Sequence, residues 1–218
     1  MAAKNSTKDR IVEAGRLLFN AKGYGETSLS QIAAEVGISQ GNLTYHFPAK
    51  RELALRIQQE AQNSAVARKR AYRPGSVAED YIEHLLSGMD LTWQYRFLFR
   101  DRAQFIADQS DVDPNAALIA DFEELHSLIV RIEDEKMFVA DLLQDRLELT
   151  RSLWIVSRYW MNYLSEIEGL EEITWRGQER GVEQHFAVLV PYLTKEANGA
   201  FRSAIDQAKH RQGEVPNG

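Results

Sequence analysis

Apolar side chains recur along the chain at intervals of three and four residues, and almost nothing alternates at two, so the pattern predicts an all-α fold. Ile11, Ala14, Gly15, Leu18 and Phe19 share one face of a first helix expected over about Thr7–Lys22. Ser6 and Asp9 have capping-box spacing at its start, and Gly23 is placed to end it. Ser28 and Gln31 repeat that spacing before a short helix with Leu29, Ile32, Ala33 and Val36 inward, and Gly37 stops it. Ser39 can cap a third helix reaching about His46, with Leu43 and, one turn on, Phe47 turned in. Pro48 suits a first helical position, which predicts a fourth helix from Pro48 to about Tyr72, broken by Arg73-Pro74-Gly75.

Beyond that break, Ser76 and Glu79 cap one or two helices running through Asp108. Asp113-Pro114 marks the start of another, to about Glu135. A long helix is expected over about Ala140–Glu168, ending at Gly169. The next runs from about Thr174 to Tyr192 with Pro191 bending it, and the last from Thr194 to about Arg211. The long helix carries two apolar stripes, one of Leu149, Leu153, Val156, Trp160, Leu164 and Ile167, the other of Leu143, Leu147, Trp154 and Met161. Two stripes need two packing partners. Either both serve one core, or one faces a second subunit.

Charge divides the chain at the same break. Residues 1–72 hold 11 Lys/Arg against 6 Asp/Glu, a net of +5, and residues 73–218 hold 15 against 26, a net of −11. A basic head on an acidic body suits a protein that meets phosphate at one end. The organisation expected is a DNA-binding domain over 1–50 with a linker helix over about 48–72, a helical body over 75–211, and a tail over 212–218. Cysteine is absent, which excludes disulfides, thiolate zinc sites and a cysteine nucleophile. The N-terminus has no apolar stretch behind its charges, and no apolar run approaches the roughly 20 residues of a membrane helix, so a cytoplasmic protein is expected.

Residues 27–50, TSLSQIAAEVGISQGNLTYHFPAK, have the helix-turn-helix pattern: a short apolar helix, a glycine-containing turn, then a helix with few apolar residues. Leu43 anchors the second helix, while Gln40, Asn42, Thr44 and Tyr45 lie on other sides and can all donate or accept hydrogen bonds. Gln and Asn can bind adenine through two hydrogen bonds in the major groove. Gly41 lets backbone approach DNA, Thr27, Ser28, Ser39 and Lys50 are candidates for phosphate, Ser30 is a further DNA-binding candidate, and His46 either touches phosphate or packs beside Phe47.

With these residues in place, the stretches "EAGRLLFNAKGY", "SLSQIAAEVGIS" and "GNLTYHFPAKRELALRI" resemble the N-terminal DNA-binding domain of the TetR family of bacterial regulators, over about residues 7–57. The resemblance implies a homodimer, a three-helix DNA-binding domain, a linking fourth helix, a ligand pocket in the helical body, and a four-helix dimer interface made by the last two major body helices. It assigns Leu149, Leu153, Val156, Trp160, Val182, Phe186 and Leu189 to that interface. The family often has tyrosine where Thr44 stands and lysine or arginine where Gln40 stands, so the operator sequence is this chain's own.

The five histidines, His46, His84, His126, His185 and His210, form no metal motif, and the acidic clusters have the pattern of solvated helix faces. No nucleophile–base set or phosphate loop appears, so neither an enzyme nor a cofactor is expected. The stretch Trp93–Phe105 mixes aromatics with arginines, which reads either as core packing with exposed arginines or as one wall of an effector pocket. From family architecture and helical facing, Trp93, Phe97, Arg100 and Phe105, with Phe122, His126, Trp154 and Arg158, are candidates for the wall of a pocket for a small apolar or amphipathic effector, an arginine being available to an anionic group. The function expected is a ligand-responsive repressor binding a near-palindromic operator as a dimer. The alternative is a ligand-binding or scaffold protein of the same fold that no longer reads DNA.

Overall fold

Capping side chains set most of the helix starts. The computed structural model describes residues 6–71, 75–101, 103–106 and 116–213, except for the side chains of 69–71, 105–106, 116 and 212–213. Helix α1, Thr7–Lys22, opens on a Ser6/Asp9 capping box, and α2, Leu29–Val36, on a Ser28/Gln31 box. Ser39 caps α3, Gln40–His46, by accepting from the Asn42 N–H. Gly37 ends α2 at φ 73°, ψ 38°, a left-handed conformation that glycine takes without a Cβ penalty. Helix α4 spans Lys50–Ala71 rather than starting at Pro48, because the Ala49 carbonyl accepts the first helical bonds, from Glu52 and Leu53. Pro48 therefore stands one residue ahead of the helix cap.

The next elements are α5, Val77–Gln94, α6, Arg96–Arg100, and α7, Ala103–Ile106. Helix α8 is Ala116–Asp134, and its expected start at Asp113-Pro114 lies outside the described residues, as does most of the break at Arg73-Pro74-Gly75. Helix α9, Arg146–Glu166, is shorter at its start than expected. The Asp145 carboxylate accepts from the Leu147 and Glu148 N–H groups and fixes the start there. The preceding residues instead form a loop, with Asp141 at φ 61° and the Val139 N–H donating to the Tyr192 carbonyl at 2.8 Å. Helix α10 is Trp175–Leu189, followed by a 3-10 turn over Val190–Tyr192 around Pro191, and α11 is Lys195–Gly213, two residues past the expected tail boundary. No strand forms among the described residues. One isolated antiparallel bridge joins Phe138 to Leu193.

The chain contacts divide into two compact units, 1–71 with 94–114 and 72–93 with 115–218. The described residues within 94–106 thus return to the head, and the body expected as one stretch over 75–211 is interrupted. In the head, Ile11, Phe19, Ile32, Leu43, Leu53, Ile57 and Phe97 are fully buried. Burying each such side chain stabilises by roughly 1.5–3 kcal/mol. A Cβ on Gly15 would come within 2.8 Å of Leu53, so this glycine lets α1 and α4 cross closely. The return segment is held by polar bonds that helical periodicity does not reveal. Asn20 donates to the Gln94 carbonyl at 2.9 Å and accepts from the Phe97 N–H at 3.1 Å, while Arg100 donates to the Phe19 carbonyl at 2.8 Å. Asp101 accepts from the Tyr24 N–H at 2.8 Å. Burial pushes the Asp101 carboxyl up, but Arg100 and that N–H outweigh it and hold it below the usual carboxylate range.

In the body, Tyr81, Ile82, Leu85 and Met89 of α5 pack with Leu125, Ile129 and Ile132 of α8, Leu153 and Leu164 of α9, Val182 and Leu189 of α10, and Phe201 of α11. Most residues assigned to the dimer interface lie inside this core. Leu149, Leu153, Val182, Phe186 and Leu189 all belong to the chain's own core, and Val156 and Trp160 are half-buried. Trp160 packs against that core and donates to the Gly177 carbonyl at 2.9 Å. The large apolar residues left exposed on α9 are Leu147, Ile155, Tyr159 and Tyr163, with Ile167 at its C-cap.

Candidate nucleic-acid interface

Helix α3 is held to the head by one buried side chain, Leu43. The Phe47 N–H bonds the Leu43 carbonyl at its end, and Phe47 is itself buried. That single anchor turns everything else outward: Gln40, Gly41, Asn42 and Tyr45 are exposed, Tyr45 at 83%, and Thr44 and His46 are half-exposed. An aromatic ring that open has no packing role within the head, apart from an edge contact with His46 at 5.3 Å between centroids. The Thr44 hydroxyl donates back to the Gln40 and Gly41 carbonyls, both at 3.1 Å, which leaves its lone pairs as acceptors.

Among the described residues nothing requires glycine at position 41. A Cβ there would meet only Ser39 Oγ, at 4.0 Å. Glycine within a helix costs roughly 1 kcal/mol relative to alanine, so the fold would be better served by a side chain.

Helix α2 presents Ser28 and Ser30, both exposed, at its N-terminal end, their hydroxyls 2.9 Å apart. Its C-terminal end is secured by Arg10 of α1, whose guanidinium donates to the Val36 carbonyl, a link that the sequence pattern did not signal. Ser39 is exposed and occupied with capping.

Two expected phosphate contacts are not presented as such. Thr27 is 1% exposed, and its hydroxyl donates to the Gly23 carbonyl at 2.8 Å, so it closes the α1–α2 turn. Lys50 spends all three ammonium protons inward, on the carbonyls of Tyr24 at 2.7 Å, Gly25 at 3.1 Å and Thr27 at 2.9 Å. Its Nζ also lies 4.5 Å from the centre of the Tyr24 ring. Burial lowers the Lys50 pKa, with Glu26 working the other way. The lysine ties the start of α4 to the turn ahead of α2.

The expected effector wall is divided. Phe97 and Arg100 belong to the head, Phe97 tilted against Phe19 at 5.0 Å between ring centres and Arg100 bonded to α1 carbonyls. The Phe105 side chain lies outside the described residues. The body keeps Trp93 against its core, and brings Phe122 within 6.0 Å of Trp154, centre to centre. His126 Nδ1 lies 3.1 Å from the Thr150 hydroxyl, and Arg158 lies over the Tyr159 ring at 5.6 Å. Asp121, not expected as a site residue, accepts from the Trp154 indole N–H at 2.8 Å. Among the described residues no group of three metal-ligating side chains gathers, and no helix is long and apolar enough to cross a membrane.

Against known proteins, residues 53–201 match a family model described as a bacterial transcriptional repressor, TetR, and residues 11–57 match one described as bacterial regulatory proteins, tetR family. The chain is 40% identical over 47 residues to the probable HTH-type transcriptional regulator YttP of Bacillus subtilis, a match covering 22% of this chain and 23% of that one, so it spans about a quarter of that relative. It is 22% identical over 171 residues to the HTH-type transcriptional regulator AcrR of Shigella flexneri, covering 73% and 77% of the two chains. A TetR-family regulator from Marinobacter aquaeolei has the same fold, with a TM-score of 0.69 at 23% identity over 93% of this chain and 98% of that one.

Proposed function

Because the chain belongs to the TetR family of bacterial transcriptional regulators, we propose that it is a ligand-responsive DNA-binding repressor that acts as a homodimer. The observation that carries this reading is α3: one buried anchor and an outward face of hydrogen-bonding groups with no role in the fold. In the major groove, Gln40 and Asn42 read base edges, Tyr45 contacts phosphate or base, and the Gly41 backbone approaches the duplex. Ser28, Ser30 and the capping Ser39 hold phosphate. Thr27 and Lys50 support the surface from behind.

The second copy covers the outward side of α9 around Ile155, Tyr159 and Tyr163, because large apolar side chains exposed on successive turns of one helix are costly to leave in water. The dimer sets two α3 helices against successive half-sites of a near-palindromic operator. The effector enters the body and, by binding one of two conformations better, changes the affinity for DNA.

Binding of the protein to fragments of its own upstream region, followed by mobility shift, tests the assignment. Asn42→Ala and Tyr45→Ala should each weaken binding by about 1–3 kcal/mol with the dimer intact. Unchanged affinity in both variants would remove α3 from the DNA interface.

A further inference from the structure

Reading guanine takes donors. Its major-groove edge offers two acceptors, N7 and O6, and an arginine or lysine that bonds both is the usual reader. Residues 27–49, which carry α2 and α3, contain no lysine and no arginine. The cations bordering this segment are turned elsewhere. Lys50 gives its three protons to the Tyr24, Gly25 and Thr27 carbonyls, and Arg10 donates to the Val36 carbonyl. Lys8 Nζ stands 5.6 Å from the centre of the Phe47 ring, at the C-terminal end of α3.

Side chains near the start of a recognition helix reach base edges first. In α3 these are Gln40 and Asn42, both exposed. Among the described residues only their backbone groups are engaged, the Asn42 N–H by Ser39 Oγ and the Gln40 carbonyl by Thr44. A side-chain amide matches adenine, donating to N7 and accepting from the N6 amino group. Thr44 lies one turn beyond Gln40 on the same side, with its hydroxyl proton turned back to the Gln40 and Gly41 carbonyls. It therefore cannot donate to a guanine acceptor. It retains lone pairs and a methyl group, the apolar complement of the thymine methyl. Tyr45 has one O–H, and His46 turns at most one ring nitrogen to any one base, so neither spans the N7–O6 pair.

We propose that this protein reads its operator at A·T base pairs: Gln40 and Asn42 each bond the N6–N7 edge of an adenine, the Thr44 methyl packs on a thymine methyl, and no contact requires guanine. This rests on the DNA-binding reading above and names the sequence class which that reading leaves open.

The test selects duplexes from a random-sequence library with the intact protein at low salt. The tightest sequence is then resynthesised with 7-deazaadenine at single adenines or 7-deazaguanine at single guanines, each of which removes the N7 acceptor and keeps base pairing. At one or two adenines of each half-site the substitution should weaken binding roughly five- to hundredfold, while 7-deazaguanine at any position should change it by less than about twofold. The response at one adenine should disappear in Asn42→Ala, and at another in Gln40→Ala. A guanine whose N7 removal costs more than about fivefold, adenine substitutions without effect throughout, or adenine responses that persist in both variants would each overturn the proposal and leave DNA binding standing. Selection of no sequence at low salt would overturn both.

Discussion

His185 of α10 is fully buried in the body core, its Nε2 2.6 Å from the Tyr81 hydroxyl. Burial first, then the nearby His84, pushes its pKa down to about 3, with only the Leu153 backbone acting in the other direction. In the unfolded chain the imidazole titrates near its ordinary value of about 6.5. The folded state therefore holds this proton less tightly, and acid pulls the equilibrium toward unfolding. The stability carried by the neutral imidazole is complete above about pH 6.5 and is lost progressively between there and about pH 3. At pH 5 the unfolded chain gains from 1.5 pH units of protonation, about 2 kcal/mol at 1.36 kcal/mol per unit. That figure hardly changes for any folded value below about 4. Urea unfolding at pH 7.5 and 5.0, at one protein concentration, measures the loss. His185→Gln, which can still accept from Tyr81 and does not titrate, supplies the baseline from all other groups. Wild type should lose about 2 kcal/mol more than the variant over this interval. Parallel pH dependences, within about 0.5 kcal/mol, would refute the reasoning.

Three further outcomes follow from the same geometry. Gly41→Ala should stabilise the fold by about 0.5–1 kcal/mol in thermal unfolding while weakening operator binding, and equal or tighter binding would show that DNA does not approach this backbone. Lys50→Met should destabilise the head by about 1–2 kcal/mol yet leave the slope of log affinity against log salt unchanged, whereas a slope smaller by about 0.9 would make Lys50 a phosphate contact after all. Ile155→Glu with Tyr159→Glu should give a folded monomer in sedimentation equilibrium, while Leu153→Glu, at a core position, should abolish folding; a dimer surviving the double substitution would place the interface elsewhere.

The helix starts were legible because caps are local: Ser6, Ser28, Ser39 and Ser76 each act within three residues of their own position. What escaped the sequence is long-range. Apolar spacing shows that α9 has more than one apolar face but not which one the rest of the chain covers, so spacing alone does not separate buried Leu153 from exposed Tyr159. Leu142 and Leu143 continue the helical spacing, and only the Asp145 cap shows that the helix starts after them. Arg100 and Lys50 have the composition of ligand-facing cations, yet their partners are backbone carbonyls 81 and 25 residues away or nearly so, and no side-chain pattern marks a carbonyl. The α3 face was legible because Leu43 is its sole buried residue, so pattern and structure report the same contrast.

The central claim is that two α3 helices of one dimer read adjacent major grooves. Hydroxyl-radical footprinting of the protein on its upstream DNA tests this most directly. Two protected half-sites related by a near two-fold axis, with centres about 34–36 Å or a multiple of that apart, are the predicted result. Uniform protection without half-sites, or none at low salt, would contradict it.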